Sequence, residues 1–231
     1  FIGNRMFHAY ITQAHLLVEE GATPEQVDIA AESWGWAMGP FAVNDLAGND
    51  VGWRIRKGKG KDYYKGKKYA STVADRLCEL GRFGQKVGKG FYTYDPQTRR
   101  RQSDPEVTKI IDDVRREKGI NPRVIDNDEI LSRLHGALVI EGTRILEEGH
   151  ALRSSDIDVC YISGYGFPAH RGGPMWQADK IGIDKFAQQI AKHRNADVLT
   201  WPESQLMNTL AESKDKIANY VPDTSNPSKR T

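Results

Sequence analysis

A block of sequence near the start of the chain returns, in the same order, in its second half. Residues 16–48 and residues 145–182 each hold a Glu-Glu-Gly triplet, an aliphatic residue followed by Asp, a Gly-Pro pair, and then a further Asp and Gly. The matching positions are Glu19-Glu20-Gly21 and Glu147-Glu148-Gly149, Val27-Asp28 and Ile157-Asp158, Gly39-Pro40-Phe41 and Gly173-Pro174-Met175, and Asp45 with Gly48 and Asp179 with Gly182. Because order and spacing both persist, the pattern indicates a duplicated structural unit.

Each repeat begins with a segment in which apolar residues recur at helical spacing. These residues are Met6, Phe7, Tyr10, Ala14, Leu17 and Val18 in the first repeat, and Ile130, Leu131, Leu134, Leu138, Ile145 and Leu146 in the second. Thr23 with Gln26 predicts a capping box at the start of a second helix, and Asp126 with Glu129 predicts the cap of the helix that opens the second repeat. The signals predict an all-α fold built from two tandem helical repeats.

The region between the repeats has a different character. Residues 91–94 form an aromatic run that predicts a small β excursion, and residues 95–106 are polar and contain Pro96 and Pro105. We therefore expect a first repeat over residues 1–94, a linker and connecting helix over 95–124, a second repeat over 125–221, and a frayed tail over 222–231.

Two glycine-containing segments invite a nucleotide-binding interpretation. Gly164, Gly166 and Ala169 follow an apolar run, as a dinucleotide fingerprint does. We reject that interpretation because the matching segment of the first repeat is helical by composition and Pro168 leaves no room for the required helix. The loop Gly84–Gly90 lacks the Walker A arrangement, and we interpret it as two tight turns that need positive φ before a short strand.

Composition excludes several classes of function. The 33 Lys and Arg residues nearly balance 31 Asp and Glu residues, so a net charge of +2 gives no support to a general polyanion binder. No apolar run approaches the roughly 18 residues of a membrane span. The six histidines show no HExxH spacing, and no Gly-x-Ser-x-Gly elbow occurs, so neither a metal enzyme nor a serine hydrolase is indicated. The two cysteines, Cys78 and Cys160, are expected to be buried as small hydrophobic side chains.

A basic stretch over residues 54–68 contains eight Lys or Arg residues and one Asp. A solvated surface is the first interpretation, and contact with the phosphates of a coenzyme A ester is the second. The interleaved Tyr63, Tyr64 and Tyr69 make nucleic acid a third, which predicts binding that falls steeply with salt. The balanced net charge disfavours it, and we expect no nucleic acid partner.

Gln13 and Glu141 stand at equivalent places in the two opening helices, three or four residues from apolar positions. Both side chains should therefore face inward. A buried carboxylate needs partners, and we favour a role in holding backbone at the repeat interface over a role in catalysis.

Several motifs resemble the C-terminal domain of L-3-hydroxyacyl-CoA dehydrogenases. The motifs of the first repeat are Phe1-Ile2-Gly3-Asn4-Arg5, Glu20-Gly21-Ala22-Thr23-Pro24, Met38-Gly39-Pro40-Phe41 with Asp45 and Gly48, and Gly88-Lys89-Gly90-Phe91-Tyr92. Those of the second, Tyr165-Gly166-Phe167-Pro168 and Arg171-Gly172-Gly173-Pro174-Met175, resemble the second copy in multifunctional fatty-acid oxidation enzymes. The resemblance covers nearly the whole chain and implies the 6-phosphogluconate dehydrogenase C-terminal-like fold.

The resemblance implies NAD-dependent oxidation of a 3-hydroxyacyl-CoA, with a His–Glu pair that removes the hydroxyl proton. In the family those residues and the Rossmann domain precede the Phe1–Arg5 run. We therefore interpret the chain as a piece of a longer protein, whose partners are that Rossmann domain and the acyl-CoA substrate. Of the family's catalytic residues only Asn4 carries over, where an amide can orient the His or the ketoacyl oxygen. A helix-start cap at Asn4 is compatible with that role.

The family segment near the acyl chain carries over onto Met38, Pro40 and Phe41. We expect NAD to be bound by the parent but not by this chain, and the chain alone to be inactive. The alternative is a structural or dimerisation module of the same multifunctional enzyme with no ligand of its own. A dehydrogenase of a smaller hydroxy acid is disfavoured by the second repeat. A bacterial cytoplasm is our first expected location and the peroxisome our second.

Overall fold

A computed structural model of the chain describes residues 2–60, 72–196 and 200–222. Within those ranges the chain forms eleven α-helices and one two-stranded sheet. The helices are α1 Ile2–Glu20, α2 Pro24–Trp34, α3 Pro40–Ala47, α4 Asn49–Lys59, α5 Thr72–Glu79, α6 Pro105–Glu117, α7 Asn127–Glu147, α8 Ser154–Gly164, α9 Pro174–Ile181, α10 Ile183–Ala196 and α11 Gln205–Ser213. The predicted all-α class is confirmed.

The predicted β excursion is also present. Strand β1, Tyr92–Tyr94, pairs in antiparallel register with β2, Arg101–Ser103. The second strand lies inside the segment that we expected to be a linker. Its residues Arg-Gln-Ser are polar and largely exposed, so β2 carries neither the alternation nor the β-branched residues that mark a strand in a sequence.

The described residues divide into two compact units. The C-terminal unit comprises the chain up to Gln13, Gly35–Ala37, and the chain from Leu131 onward, whereas the central unit comprises Ala14–Trp34 and Met38–Ile130. The start of α1 thus belongs with the second sequence repeat. The repeat bounds 1–94, 95–124, 125–221 and 222–231 stay a prediction about the sequence, and residues 223–231 of the expected tail lie outside the described residues.

Both predicted helix caps form. The Gln26 amide donates to Thr23 Oγ1 at 3.0 Å, and the Glu129 amide donates to Asp126 Oδ1 at 2.7 Å. Among the described residues, the Thr23 amide makes no hydrogen bond to the Gln26 side-chain oxygen, so the second half of the predicted capping box does not form. Gln26 Nε2 donates to the carbonyl of Ile125 at 2.7 Å. A hydrogen bond from a long amide side chain to a buried carbonyl contributes more stability than one at an exposed helix cap.

The core of the central unit contains an aromatic cluster of His15, Phe41 and Phe91. The Phe41 and Phe91 ring centroids are 4.7 Å apart, and His15 lies 5.3 Å from Phe41. Beside this core, Arg82 is only 1% exposed. Its guanidinium donates to the Gly90 carbonyl at 2.9 Å, and to Asp104 and Glu106 at 2.6 and 2.8 Å. These partners offset the cost of burying the charge.

The glycine loop before β1 is structural, as the turn interpretation predicts. Gly84 and Gly88 have φ values of 104° and 76°. A Cβ atom at Gly90 would lie 2.0 Å from an oxygen of Asp45, and one at Gly84 would lie 2.2 Å from the Asp45 carbonyl oxygen. The loop therefore needs glycine both for backbone conformation and for its close approach to α3.

The C-terminal unit is built around α7 and α8. Large side chains that are almost fully buried form its core, and they include Leu134, Leu138, Ile145, Tyr161 and Trp201. Ser154–Gly164 is a helix, so the rejection of a dinucleotide fingerprint at Gly164–Ala169 is confirmed for the segment that precedes the glycines. Of the two cysteines, Cys78 is buried as expected, but Cys160 is only half-buried.

Candidate functional site

A buried aspartate anchors the start of a helix in each repeat. In the central unit, Asp28 on α2 accepts the amides of Phe41 and Ala42, both at 2.9 Å. In the C-terminal unit, Asp158 on α8 accepts the amides of Met175 and Trp176 at 2.7 and 3.1 Å. Each carboxylate thus satisfies the otherwise unpaired first amides of the following helix, α3 or α9. We call these contacts the helix-start clamps.

The duplicated Gly-Pro pairs fit the helix-start clamps. A Cβ atom at Gly39 would lie 2.4 Å from Asp28, and one at Gly173 would lie 2.4 Å from Asp158. Proline follows as the first helical residue, where its missing amide hydrogen costs nothing. Burial raises the pKa of both Asp28 and Asp158 to about 7, against the opposing effect of the backbone amides.

A second duplicated aspartate receives a downstream segment. Asp45 on α3 accepts the amides of Phe91 and Tyr92 at 2.9 and 3.0 Å, together with the Tyr94 hydroxyl at 2.9 Å. Asp179 on α9 accepts the amides of Ile217 and Ala218 at 2.7 and 3.0 Å. The carboxylates that the duplication singles out are therefore structural groups.

The three predicted acyl-contact residues lie at the start of α3. Phe41 is 0% exposed in the aromatic core of the central unit, and Pro40 is also buried. Met38 is half-buried and alone of the three keeps some accessible surface. Their assignment to substrate binding stays a prediction, while the visible role of Phe41 is packing.

Asn4 is exposed on the first turn of α1, where its Oδ1 accepts the Tyr165 hydroxyl at 2.7 Å. The helix begins at Ile2, so the expectation of a cap at Asn4 is wrong. Among the described residues, Asn4 Nδ2 makes no hydrogen bond. The amide therefore presents two N–H donors to whatever binds beside it. Residue 1 of the Phe1–Arg5 motif lies outside the described residues.

Arg5, the next residue, forms an ion-pair network with Glu141 and Glu148. Its guanidinium contacts Glu141 and donates to Glu148 Oε1 at 2.8 Å. The Arg5 hydrogen bond lowers the pKa of Glu148. Glu141 is buried as expected, 7% exposed, but its partners are Arg5 and Arg144 rather than backbone. Gln13, 1% exposed, likewise accepts from Arg133 Nε at 3.0 Å.

The described residues contain no group of three or more His, Cys, Asp or Glu side chains able to hold a metal ion. In the same ranges, no helix is both long and apolar enough to cross a membrane. Arg54, Arg56, Lys57 and Lys59 of the basic stretch lie on α4, and residues 61–68 of that stretch lie outside the described residues.

The first repeat is similar to a known protein family. Residues 1–94 match the family described as 3-hydroxyacyl-CoA dehydrogenase, C-terminal domain. The first repeat is therefore similar to that family. The resemblance carried by the first-repeat motifs is thereby confirmed.

Individual relatives extend the similarity beyond residue 94. The chain is 46% identical over 211 residues to the peroxisomal bifunctional enzyme of Cavia porcellus, which covers 86% of this chain. It is 34% identical over 200 residues to the peroxisomal fatty acid beta-oxidation multifunctional protein of Oryza sativa subsp. japonica, which covers 83% of this chain. The chain spans only 29% and 27% of the lengths of these two relatives.

A solved structure agrees with the fold. The dehydrogenase part of multifunctional enzyme 1 from C. elegans is 29% identical and superposes with a TM-score of 0.70. The match covers 90% of this chain and 47% of that structure. The helical C-terminal domain of the family is therefore the architecture of this chain.

The residue that sequence reasoning missed is Tyr165. It stands in the Tyr165–Pro168 motif that carries the resemblance, yet the sequence assigns it no role. The contact that matters joins residues 161 positions apart, and no local pattern reports so distant a neighbour. The signal available in the sequence was a tyrosine directly before a glycine, in the Tyr165–Pro168 motif.

Proposed function

We propose that this chain is the substrate-side helical domain of an NAD-dependent 3-hydroxyacyl-CoA dehydrogenase that acts in fatty-acid β-oxidation. The family match and the names of the relatives support the reaction class. The observation that carries the proposal is the Asn4 amide, whose oxygen is engaged by Tyr165 at 2.7 Å and whose nitrogen is left to donate.

Asn4 acts in this proposal through its two N–H donors. When the 3-hydroxyl of the substrate loses its proton, the oxygen becomes a strong hydrogen-bond acceptor, and a fixed amide donor beside it stabilises that charge. The same donor can instead orient the ring nitrogen of the catalytic His, which belongs to another part of the parent enzyme. Met38, Pro40 and Phe41 stay proposed acyl-chain contacts, with Met38 as the accessible member.

The described residues do not fit an NAD site. The only dinucleotide-like segment, Gly164–Ala169, follows a helix and is followed by a 3₁₀ turn at Ala169–Arg171, without the βαβ unit that holds a pyrophosphate. We therefore assign NAD to the Rossmann domain of the parent. That domain and the acyl-CoA ester are the proposed partners, and a second copy of the chain is a further one.

The proposed location is the peroxisome, our second expectation. The relatives named above carry a peroxisomal name. A bacterial cytoplasm, our first expectation, gains no support from these names.

A structural module without a ligand remains the second candidate. It is favoured by the burial of Phe41 and Pro40, since side chains packed inside the central unit have little surface to offer an acyl chain. The two candidates differ in whether the chain binds a coenzyme A ester.

Calorimetric titration of the chain with acetoacetyl-CoA and, separately, with NADH tests the proposal. We expect the thioester to bind and NADH to give no heat, with no turnover when both are present. The absence of binding heat with both ligands would favour the structural module. Tight NADH binding, or reduction of NAD by the chain with a hydroxyacyl-CoA, would overturn the assignment of the cofactor to another domain.

A further inference from the structure

The Tyr165 hydroxyl selects one of the two orientations of the Asn4 amide. It donates to Asn4 Oδ1 at 2.7 Å. Desolvation raises the pKa of Tyr165 above its ordinary value, so the hydroxyl keeps its proton and remains a donor at neutral pH. With the oxygen occupied, the amide nitrogen is the group directed to a ligand. Without Tyr165, an exposed asparagine would rotate freely between several orientations.

The ring of Tyr165 is itself held in place. It stacks on Tyr161 with centroids 4.9 Å apart and an interplanar angle of 21°, and it lies 5.9 Å from Phe7. Gly3 leaves room for it, because a Cβ atom there would lie 2.2 Å from Tyr165 Cε2. Tyr161, 1% exposed, donates its hydroxyl to the Gly3 carbonyl at 3.2 Å.

The backbone around Tyr165 is equally constrained. The amides of Tyr165 and Phe167 both donate to the Tyr161 carbonyl at 3.1 Å, which ends α8 in a tight turn. Gly166 takes a φ of 71°, and its carbonyl accepts the Ala37 amide at 3.2 Å. A side chain with few remaining degrees of freedom loses little entropy when it forms one further hydrogen bond.

From this arrangement we infer that Tyr165, in the second repeat, is a positioning residue for Asn4 in the dehydrogenase reaction. This inference rests on the proposed function of Asn4. It gives the second repeat a part in catalysis, because the hydroxyl that orients the Asn4 donor comes from the turn after α8. Tyr165 acts through Asn4 and has no direct contact with the reacting atoms in this scheme.

Steady-state kinetics of the full-length enzyme that contains this chain, with acetoacetyl-CoA and NADH, test the inference. Tyr165→Phe keeps the stacked ring and removes the hydroxyl. We expect kcat to fall about tenfold with little change in KM, because the Asn4 donor that stabilises the transition state is no longer held in one orientation. Asn4→Ala should lower kcat further, by about 100-fold. The double variant should have the same kcat as Asn4→Ala alone, because Tyr165 acts only through that amide.

Two further variants separate positioning from stability and fix the direction of the hydrogen bond. Tyr94→Phe removes a hydroxyl that donates to buried Asp45 in the central unit, so it should lower Tm and leave kcat unchanged. Asn4→Asp keeps an acceptor for Tyr165 but has no N–H, so it should be as slow as Asn4→Ala. An active Asn4→Asp enzyme would show that the donor is not what matters.

The remaining outcomes are distinct. If Asn4→Ala is slow while Tyr165→Phe matches wild type, the positioning role is overturned and the proposed function of Asn4 stands. If Asn4→Ala retains full activity, the proposed role of Asn4 fails, and the positioning role fails with it. Losses of kcat that add in the double variant would show that Tyr165 acts independently of Asn4, and the positioning role would be overturned.

Discussion

The helix-start clamps of the two repeats hold the same backbone positions with different numbers of partners. Asp158 accepts the amides of Met175 and Trp176, whereas Asp28 accepts two amides and also the Tyr92 hydroxyl at 2.9 Å. The first repeat has added a tyrosine from β1 to a contact that the second makes with backbone alone. The element that is common to both repeats is therefore the carboxylate with its two amide donors.

The receiving segments of the second pair of aspartates support that conclusion. Asp45 holds the start of β1, while Asp179 holds a 3₁₀ turn at Ile217–Asn219. Because an aspartate that accepts backbone amides places no demand on side chains, a strand and a turn serve equally well. This explains why the sequence repeats Asp45 as Asp179 without repeating Phe91 and Tyr92.

The largest expected effect is the loss of a clamp carboxylate. Asp28→Ala leaves two helix-start amides and a buried tyrosine hydroxyl without a hydrogen-bond acceptor. It should therefore lower the free energy of unfolding by roughly 3–5 kcal/mol. Asp158→Ala leaves two amides without an acceptor and should lower the free energy of unfolding by roughly 2–4 kcal/mol. Urea denaturation followed by circular dichroism measures both. Asp112→Ala, at a half-exposed carboxylate on α6, serves as the control and should change stability by less than about 1 kcal/mol.

Asp158→Ala could instead lower the free energy of unfolding as much as Asp28→Ala or more. The tyrosine would then contribute nothing beyond the shared contact.

The same aspartates show what could be foreseen from sequence. The duplication predicted two helical repeats and marked Asp28, Asp45, Asp158 and Asp179 as special. It did not say that they bind amides of the following segment, because the contacts join positions between 13 and 47 residues apart.

The candidate site was less accessible to sequence reasoning. Asn4 was found only through resemblance to a family, and its partner Tyr165 lies 161 positions away. Gln13 and Glu141 were correctly placed in the interior from helical spacing. Their arginine partners were missed, because long flexible side chains reach across elements in ways that no periodicity records.

The opening helices of the two repeats should differ in their effect on acid stability. His135 Nε2 donates to the Pro174 carbonyl oxygen at 2.9 Å, and burial lowers the pKa of His135 to about 4. The counterpart of His135 in the first repeat is Phe7, which does not titrate. A depressed histidine pKa contributes stability that is present above about pH 6.5 and is lost as pH falls toward 4.

Urea denaturation of wild type and His135→Phe between pH 7 and pH 4 measures this contribution. Wild type should lose about 3 kcal/mol more than the variant over that interval. The raised pKa of Asp158, about 7, acts in the opposite direction and is common to both proteins, so it cancels in the difference. If the free energy of unfolding of wild type and of His135→Phe changed in parallel with pH, protonation of His135 would not destabilise the folded protein.

The Tyr92 hydroxyl should have the smallest effect on stability of the groups considered. Tyr92→Phe removes the one partner that Asp28 has and Asp158 lacks, and burial together with Asp28 raises the pKa of Tyr92, so the hydroxyl is a donor at every pH tested. We expect a loss of about 1 kcal/mol, because the carboxylate keeps both amides. In the Tyr92→Phe background, Asp28→Ala should then cost what Asp158→Ala costs in wild type. If Asp28→Ala stays more expensive by the full original margin, the extra stability of the first clamp comes from its surroundings, the aromatic core next to Phe41, and not from the tyrosine hydroxyl.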